Sequence, residues 1–192
     1  MSHSLRIIYI PGLGDRYDPL RRASLKLWRL YGAEVTMVPM LWHSNEEYDA
    51  KRKRIEAVIE ERAGEPVVLM GESAGGSMAL TLYAKYAGQS VSAMTLCGKN
   101  TRPDNVSPYL YKRNPAFQES MFNAEAAIAT LALAQRQRFI SVVPLHDATV
   151  PVKQTLLPDC QKMTLPVVGH LLSILAMLTI YAPLIVRRAK KL

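Results

Sequence analysis

A chain of 192 residues has the size of one domain and can bury around two-thirds of its unfolded surface. With 49% apolar and 21% charged residues it is neither a charge-rich disordered polymer nor a low-complexity repeat. The net charge of +8 raises a nucleic-acid or anionic surface as partner, but the excess lies in Arg21-Arg22, Lys51 to Arg54 and the tail Arg187 to Lys191. No zinc, helix-turn-helix or RNA-binding signature accompanies these groups, so they read as solvated helix faces and no nucleic-acid partner is expected.

The N-terminus runs into a strand pattern without the basic, apolar and small-residue succession of a signal peptide, and Cys97 and Cys160 have no metal-ligand spacing. A reducing, cytoplasmic setting is the expectation, with no metal. Leu5 to Ile10 is a near-continuous apolar run, as expected of a strand covered on both faces. Its exit, Ile10-Pro11-Gly12-Leu13-Gly14-Asp15, has glycines that let the backbone turn inward. It completes neither a dinucleotide nor a P-loop phosphate motif. Pro19 to Tyr31 then reads as an amphipathic helix with Leu20, Leu27 and Leu30 on its apolar face. Glu34 to Val38 is the next strand and Glu46 to Arg62 the next helix.

The most informative stretch runs from Glu65 to Leu80. An apolar strand, Pro66 to Met70, leads into Gly71-Glu72-Ser73-Ala74-Gly75, and small residues open a helix over Gly75 to Tyr86. Strand, GxSxG and helix in that order form a nucleophile elbow, in which side chains two before and two after the serine would collide. Ser73 is the candidate nucleophile, placed at the positive end of the following helix.

Val91 to Leu96 is another strand, and Gly98 to Asn114 is irregular. Residues 98–122 could cover a substrate, with Tyr109, Tyr111, Phe117, Met121 and Phe122 as packing or contact side chains. A helix over Pro115 to Arg136 and a strand over Phe139 to Val143 follow, then a weaker strand near Cys160 to Leu165 and a helix over His170 to Tyr181. Repeated strand and helix units with short links imply a doubly wound, mostly parallel six-stranded α/β sheet in a single domain.

A serine hydroxyl needs a general base, itself oriented by a carboxylate. Of His3, His43, His146 and His170, only His170 follows the last strand at the start of the final helix, where a loop returns it to the elbow. Asp147, delivered by the strand ending near Val143, is the favoured acid, with Asp104 as its rival. The oxyanion donors would be the backbone N–H groups of Ala74 and Leu13.

Ser73, Asp147 and His170 in that chain order, with Gly71-Glu72-Ser73-Ala74-Gly75-Gly76 and Asp147-Ala148-Thr149-Val150-Pro151, resemble the α/β-hydrolase superfamily from Ile7 to Tyr181. The elbow looks like that of carboxylesterases and related lipases. Pro11 departs from the family's frequent His-Gly start. The resemblance implies a minimal member whose sheet begins at the strand third in the full fold, without a separate cap.

The activity expected is hydrolysis of a small-molecule carboxylic ester through an acyl-enzyme, without cofactor. Thioester or amide hydrolysis and acyl transfer use the same groups, and a binding protein on the same fold is the other class. Leu165 to Val186 lacks charge and precedes a basic tail; a buried final helix covering the sheet is the expectation, and contact with a membrane surface through that helix is the alternative. Its continuous helical part is shorter than the roughly 20 residues a bilayer requires. Oligomeric state is not legible.

Overall fold

The computed structural model describes residues 4–192, so His3 lies outside the described residues. Six strands form one sheet: β1 (Leu5–Ile10), β2 (Ala33–Met37), β3 (Val67–Glu72), β4 (Val91–Leu96), β5 (Ile140–His146) and β6 (Gln161–Val168). They are all parallel, in the order β2-β1-β3-β4-β5-β6. The central strands β3 and β4 are buried throughout, which explains their continuous apolar sequence, whereas the edge strand β6 alternates.

Alternate residues of each strand serve the two faces. Ile8, Ile10 and Leu69 pack under α2 (Tyr48–Glu60), α3 (Gly75–Lys85) and, beyond them, α5 (Pro115–Thr130). Ile7, Tyr9, Val68 and Met70 pack under α1 (Asp18–Lys26), α7 (His170–Leu178) and α8 (Ala182–Ala189). Two shorter helices, α4 (Pro108–Arg113) and α6 (Leu133–Arg138), complete the chain.

Several expectations change. The helix expected over Pro19 to Tyr31 is α1 followed by a 3₁₀ stretch, Leu27–Tyr31, ended by Gly32 at φ +76°. Its leucines Leu20, Leu27 and Leu30 are exposed; the buried face carries Arg21, Ser24, Leu25 and Trp28 instead. Charge at Arg21 and the Trp28 indole, whose Nε1 donates to Leu178 O at 2.9 Å, claim the inward side. Nor are the basic groups all solvated: Lys51 is wholly buried, donating to Met40 O at 2.9 Å, Leu41 O and Ser44 Oγ.

The helix expected over Pro115 to Arg136 breaks into α5 and α6 at Leu131 and Ala132, whose backbones are extended. The irregular stretch after β4 contains α4, and of its aromatic region Tyr111, Phe117 and Met121 are core residues while Tyr109 and Phe122 are exposed. At the C-terminus α7 stops at Leu178, and α8 leaves it at 73°, so among the described residues no single helix is long and apolar enough to cross a membrane.

The connection from β1 steps outward to β2, and the chain then returns past β1 to β3. This reversal opens a crevice at the carboxyl ends of β1 and β3, where doubly wound sheets bind their ligands.

Candidate active site

The crevice holds the β1 exit loop and the elbow. Ser73 has φ +48°, a left-handed conformation unfavourable for a residue with a side chain, and it persists because its surroundings fix it. Its N–H donates to Leu96 O at 3.0 Å, and its carbonyl accepts from Gly76 N at 2.9 Å and Lys99 N at 2.8 Å. A Cβ on Gly71 would lie 2.5 Å from Gly75 O, and one on Gly75 would lie 2.2 Å from Ile10 O. The first glycine is required by the turn itself, the second by the end of β1. A Cβ on Gly12 would lie 2.7 Å from the Ser73 Cβ, so the exit loop packs directly on the serine.

His170 opens α7 after Gly169, which has φ +80°. Its Nε2 lies 2.8 Å from Ser73 Oγ, and its Nδ1 lies 2.6 Å from Asp147 Oδ2. Asp147 follows β5, and its other oxygen accepts the N–H groups of Thr149 and Val150, both at 2.9 Å. Burial opposes ionisation of this carboxyl, but the bonds from His170, Val150 and Thr149 outweigh it and hold its pKa below the ordinary carboxylate value. Three residues far apart in the chain thus form one continuous hydrogen-bonded line.

The structure separates the rivals from this line. Asp104 is exposed and paired with Arg102 at 2.9 Å. His43 and His146 are exposed, and the carbonyl of His146 accepts the Gly169 N–H at 2.9 Å, which ties β5 to the turn bearing His170. Leu13 is half-buried in the exit loop, and Ala74 caps α3, where a helix leaves its first N–H groups without intrahelical acceptors.

Around these residues lie side chains with no sequence signal of their own. Glu72, immediately before the serine, is buried and accepts from Arg21 of α1 at 2.8 and 2.6 Å and from the Tyr9 hydroxyl. Arg21 also donates to Gly14 O at 3.0 Å, Leu13 O at 3.2 Å and Asp18 at 2.8 Å. An arginine in an amphipathic helix reads as solvent-facing unless its partner on another strand is known. Lys99 is buried, donating to Arg102 O at 3.0 Å, Asn105 O at 3.3 Å and Gln154 Oε1. The Cys97 thiol comes within 4.8 Å of the ligand atoms of Asp147 and His170. Burial, with Asp147 and Glu72 nearby, pushes that thiol's pKa far up, and both ring nitrogens of His170 are already engaged, so the trio is poorly suited to a metal ion.

Comparison with solved structures gives close fold matches at low identity. A monoacylglycerol lipase from Paleococcus ferrophilus superposes with TM-score 0.64 at 14% identity, over 97% of this chain and 94% of that one. A pyrethroid hydrolase from Sphingobium faniae superposes with TM-score 0.66 at 15% identity, over 97% of this chain and 98% of that one. An alpha/beta hydrolase from a lagoon-sediment metagenome gives 0.62 at 16%, over 98% and 91%. No protein-family model and no curated protein matches the sequence. The chain has the α/β-hydrolase fold.

Proposed function

We propose that the protein is a serine hydrolase that cleaves carboxylic esters, with Ser73 as nucleophile, His170 as general base and acid, and Asp147 as the group that orients the imidazole. The observation that carries this reading is the unbroken line from Ser73 Oγ to His170 Nε2 at 2.8 Å and from His170 Nδ1 to Asp147 at 2.6 Å. The neighbours' names, a lipase and a pyrethroid hydrolase among them, agree with hydrolysis.

In acylation, Ser73 Oγ attacks the ester carbonyl carbon while His170 Nε2 takes the hydroxyl proton. The imidazolium is stabilised by the Asp147 carboxylate, and the oxyanion accepts the N–H groups of Ala74 and Leu13. Collapse expels the alcohol, which takes the proton from His170. Water then attacks the acyl-enzyme with His170 again as base, releasing the acid and restoring Ser73. Each such N–H is typically worth roughly 2.7 to 4 kcal/mol of barrier. All of these groups belong to this chain, so the reaction draws on no cofactor; the same machinery serves thioesters, amides and acyl transfer.

A fluorophosphonate probe tests the assignment. The folded protein should label at Ser73, and Ser73→Ala should abolish both labelling and hydrolysis of p-nitrophenyl esters. Folded protein that fails to label while a control esterase labels, or a Ser73→Ala variant of undiminished activity, would overturn it.

A further inference from the structure

The face formed by α1, its 3₁₀ extension and α7 with α8 departs from an ordinary solvated surface. Leu20, Leu27 and Leu30 stand outward on one side and Leu171, Leu172 and Leu175 on the other, with Leu30 and Leu172 exposed to 77% and 70%. The two sides are contiguous: Leu20 and the three α7 leucines line one apolar groove of about 210 Å³, and Trp28 and Lys190 bond across to α7 and from α8. Ile180 and Leu184 extend the patch over the bend. Such a run of exposed leucines marks an interaction site.

The exposed charges flanking it are mainly basic. Arg22, Lys26 and Arg29 are exposed along the flank of α1, and Arg187, Lys190 and Lys191 at the end of α8. Residues 160–192 contain no Asp or Glu. The carboxylates nearby are already engaged: Asp18 by Arg21 at 2.8 Å, Glu72 in the groove by the same arginine at 2.6 Å, Asp15 by the N–H groups of Trp42 and His43, both at 3.3 Å, and Glu34, which shares a cleft with Arg22, Lys26 and Arg29, by Arg62 at 3.2 Å. A second copy seated on this face by a two-fold axis would offer these cations only carboxylates that are already paired. Leucines flanked by an excess of exposed Lys and Arg match the boundary between headgroups and acyl chains of an anionic bilayer.

We infer that this face docks the protein peripherally on anionic lipid bilayers, its leucines entering the interfacial layer and its basic flank held by the headgroups. No helix crosses the bilayer in this arrangement. The inference does not depend on the chemistry of Ser73.

Vesicle flotation with the full chain tests it, using phosphatidylcholine alone and phosphatidylcholine containing a third phosphatidylglycerol. The protein should float with the second vesicle and remain unbound with the first, and Ser73→Ala should float equally. L20E/L172E should weaken binding at least about tenfold. K26E/R29E, a change of four charges, should weaken it at least about a hundredfold. Phe122→Glu, an exposed position on α5 across the sheet, should bind like the parent. The leucine, lysine, arginine and phenylalanine sites are all exposed, and circular dichroism checks that each variant folds. No flotation on either vesicle, equal flotation on both, or unchanged flotation by L20E/L172E and K26E/R29E would overturn the inference. So would a solution dimer that L20E/L172E disperses.

Discussion

Arg21 grips both carboxylate oxygens of Glu72, the residue just before Ser73, from the first helix of the opposite chain segment. The pair is buried, and the remaining guanidinium donors hold the carbonyls of Leu13 and Gly14. One side chain therefore ties the elbow to the loop that packs on the serine.

Removing that tie should be costly. Arg21→Gln leaves Glu72 as a buried carboxylate without its cation, a loss of about 3 to 5 kcal/mol of folding stability. Arg21→Lys keeps the charge but not the planar fork, so it should recover part of the stability and little of the fluorophosphonate labelling rate. Urea denaturation and labelling kinetics check the two readouts; equal stability of Arg21→Gln and parent would sink the argument.

Gly12→Ala forces a methyl to within 2.7 Å of the Ser73 Cβ and 3.0 Å of Glu72 O. The exit loop must retreat, carrying the Leu13 N–H away from the serine. A labelling rate at least about a hundredfold lower is expected, the effect of losing the oxyanion donor proposed for Leu13. Melting temperature should change much less, because the loop lies at the rim of the sheet.

Asp147 links the site to acid stability. Its folded pKa lies below the ordinary 3.8, so it contributes stability that is present in full above the unfolded value and is lost as pH falls through the lower folded value. Asp147→Asn should flatten the stability profile below about pH 4. The same change should slow ester hydrolysis by on the order of 10³ to 10⁴, since the amide favours the wrong imidazole tautomer. A hydrolysis rate within tenfold of the parent would argue against the role proposed for Asp147.

Lys99 runs the other way in pH. Burial brings its pKa from 10.5 down to about 8, so the unfolded chain binds the extra proton between those values and stability rises as pH is raised through that window. Chemical denaturation at pH 7 and pH 10 should show the increase in the parent and a smaller one in Lys99→Met.

The order of strands and helices is legible in the chain because buried parallel strands must be apolar on both faces, and their runs at Leu5 to Ile10 and Val91 to Leu96 are bounded by polar or glycine-rich segments. The elbow is legible for a steric reason, since no other residue fits at Gly71 or Gly75. The direction faced by a helix is less so. In α1 both Leu20 and Arg21 lie at plausible core positions, and only the carboxylate waiting on β3 decides that the arginine goes in and the leucine out.

Sequence by itself determined the sheet class, the strained turn at Ser73, and the order in which serine, acid and histidine occur, because each rests on local sterics and on periodicity. Tertiary structure alone decided that Asp147 and not Asp104 meets His170, that Arg21 and Lys51 are buried, and that α7 and α8 part at 73° with leucines left outside. Apart from Lys51, whose acceptors Met40, Leu41 and Ser44 lie 7 to 11 residues away, those outcomes depend on partners 23 to 150 residues away in the chain, whose positions are set by the crossing of helices over the sheet and leave no mark in the nearby sequence.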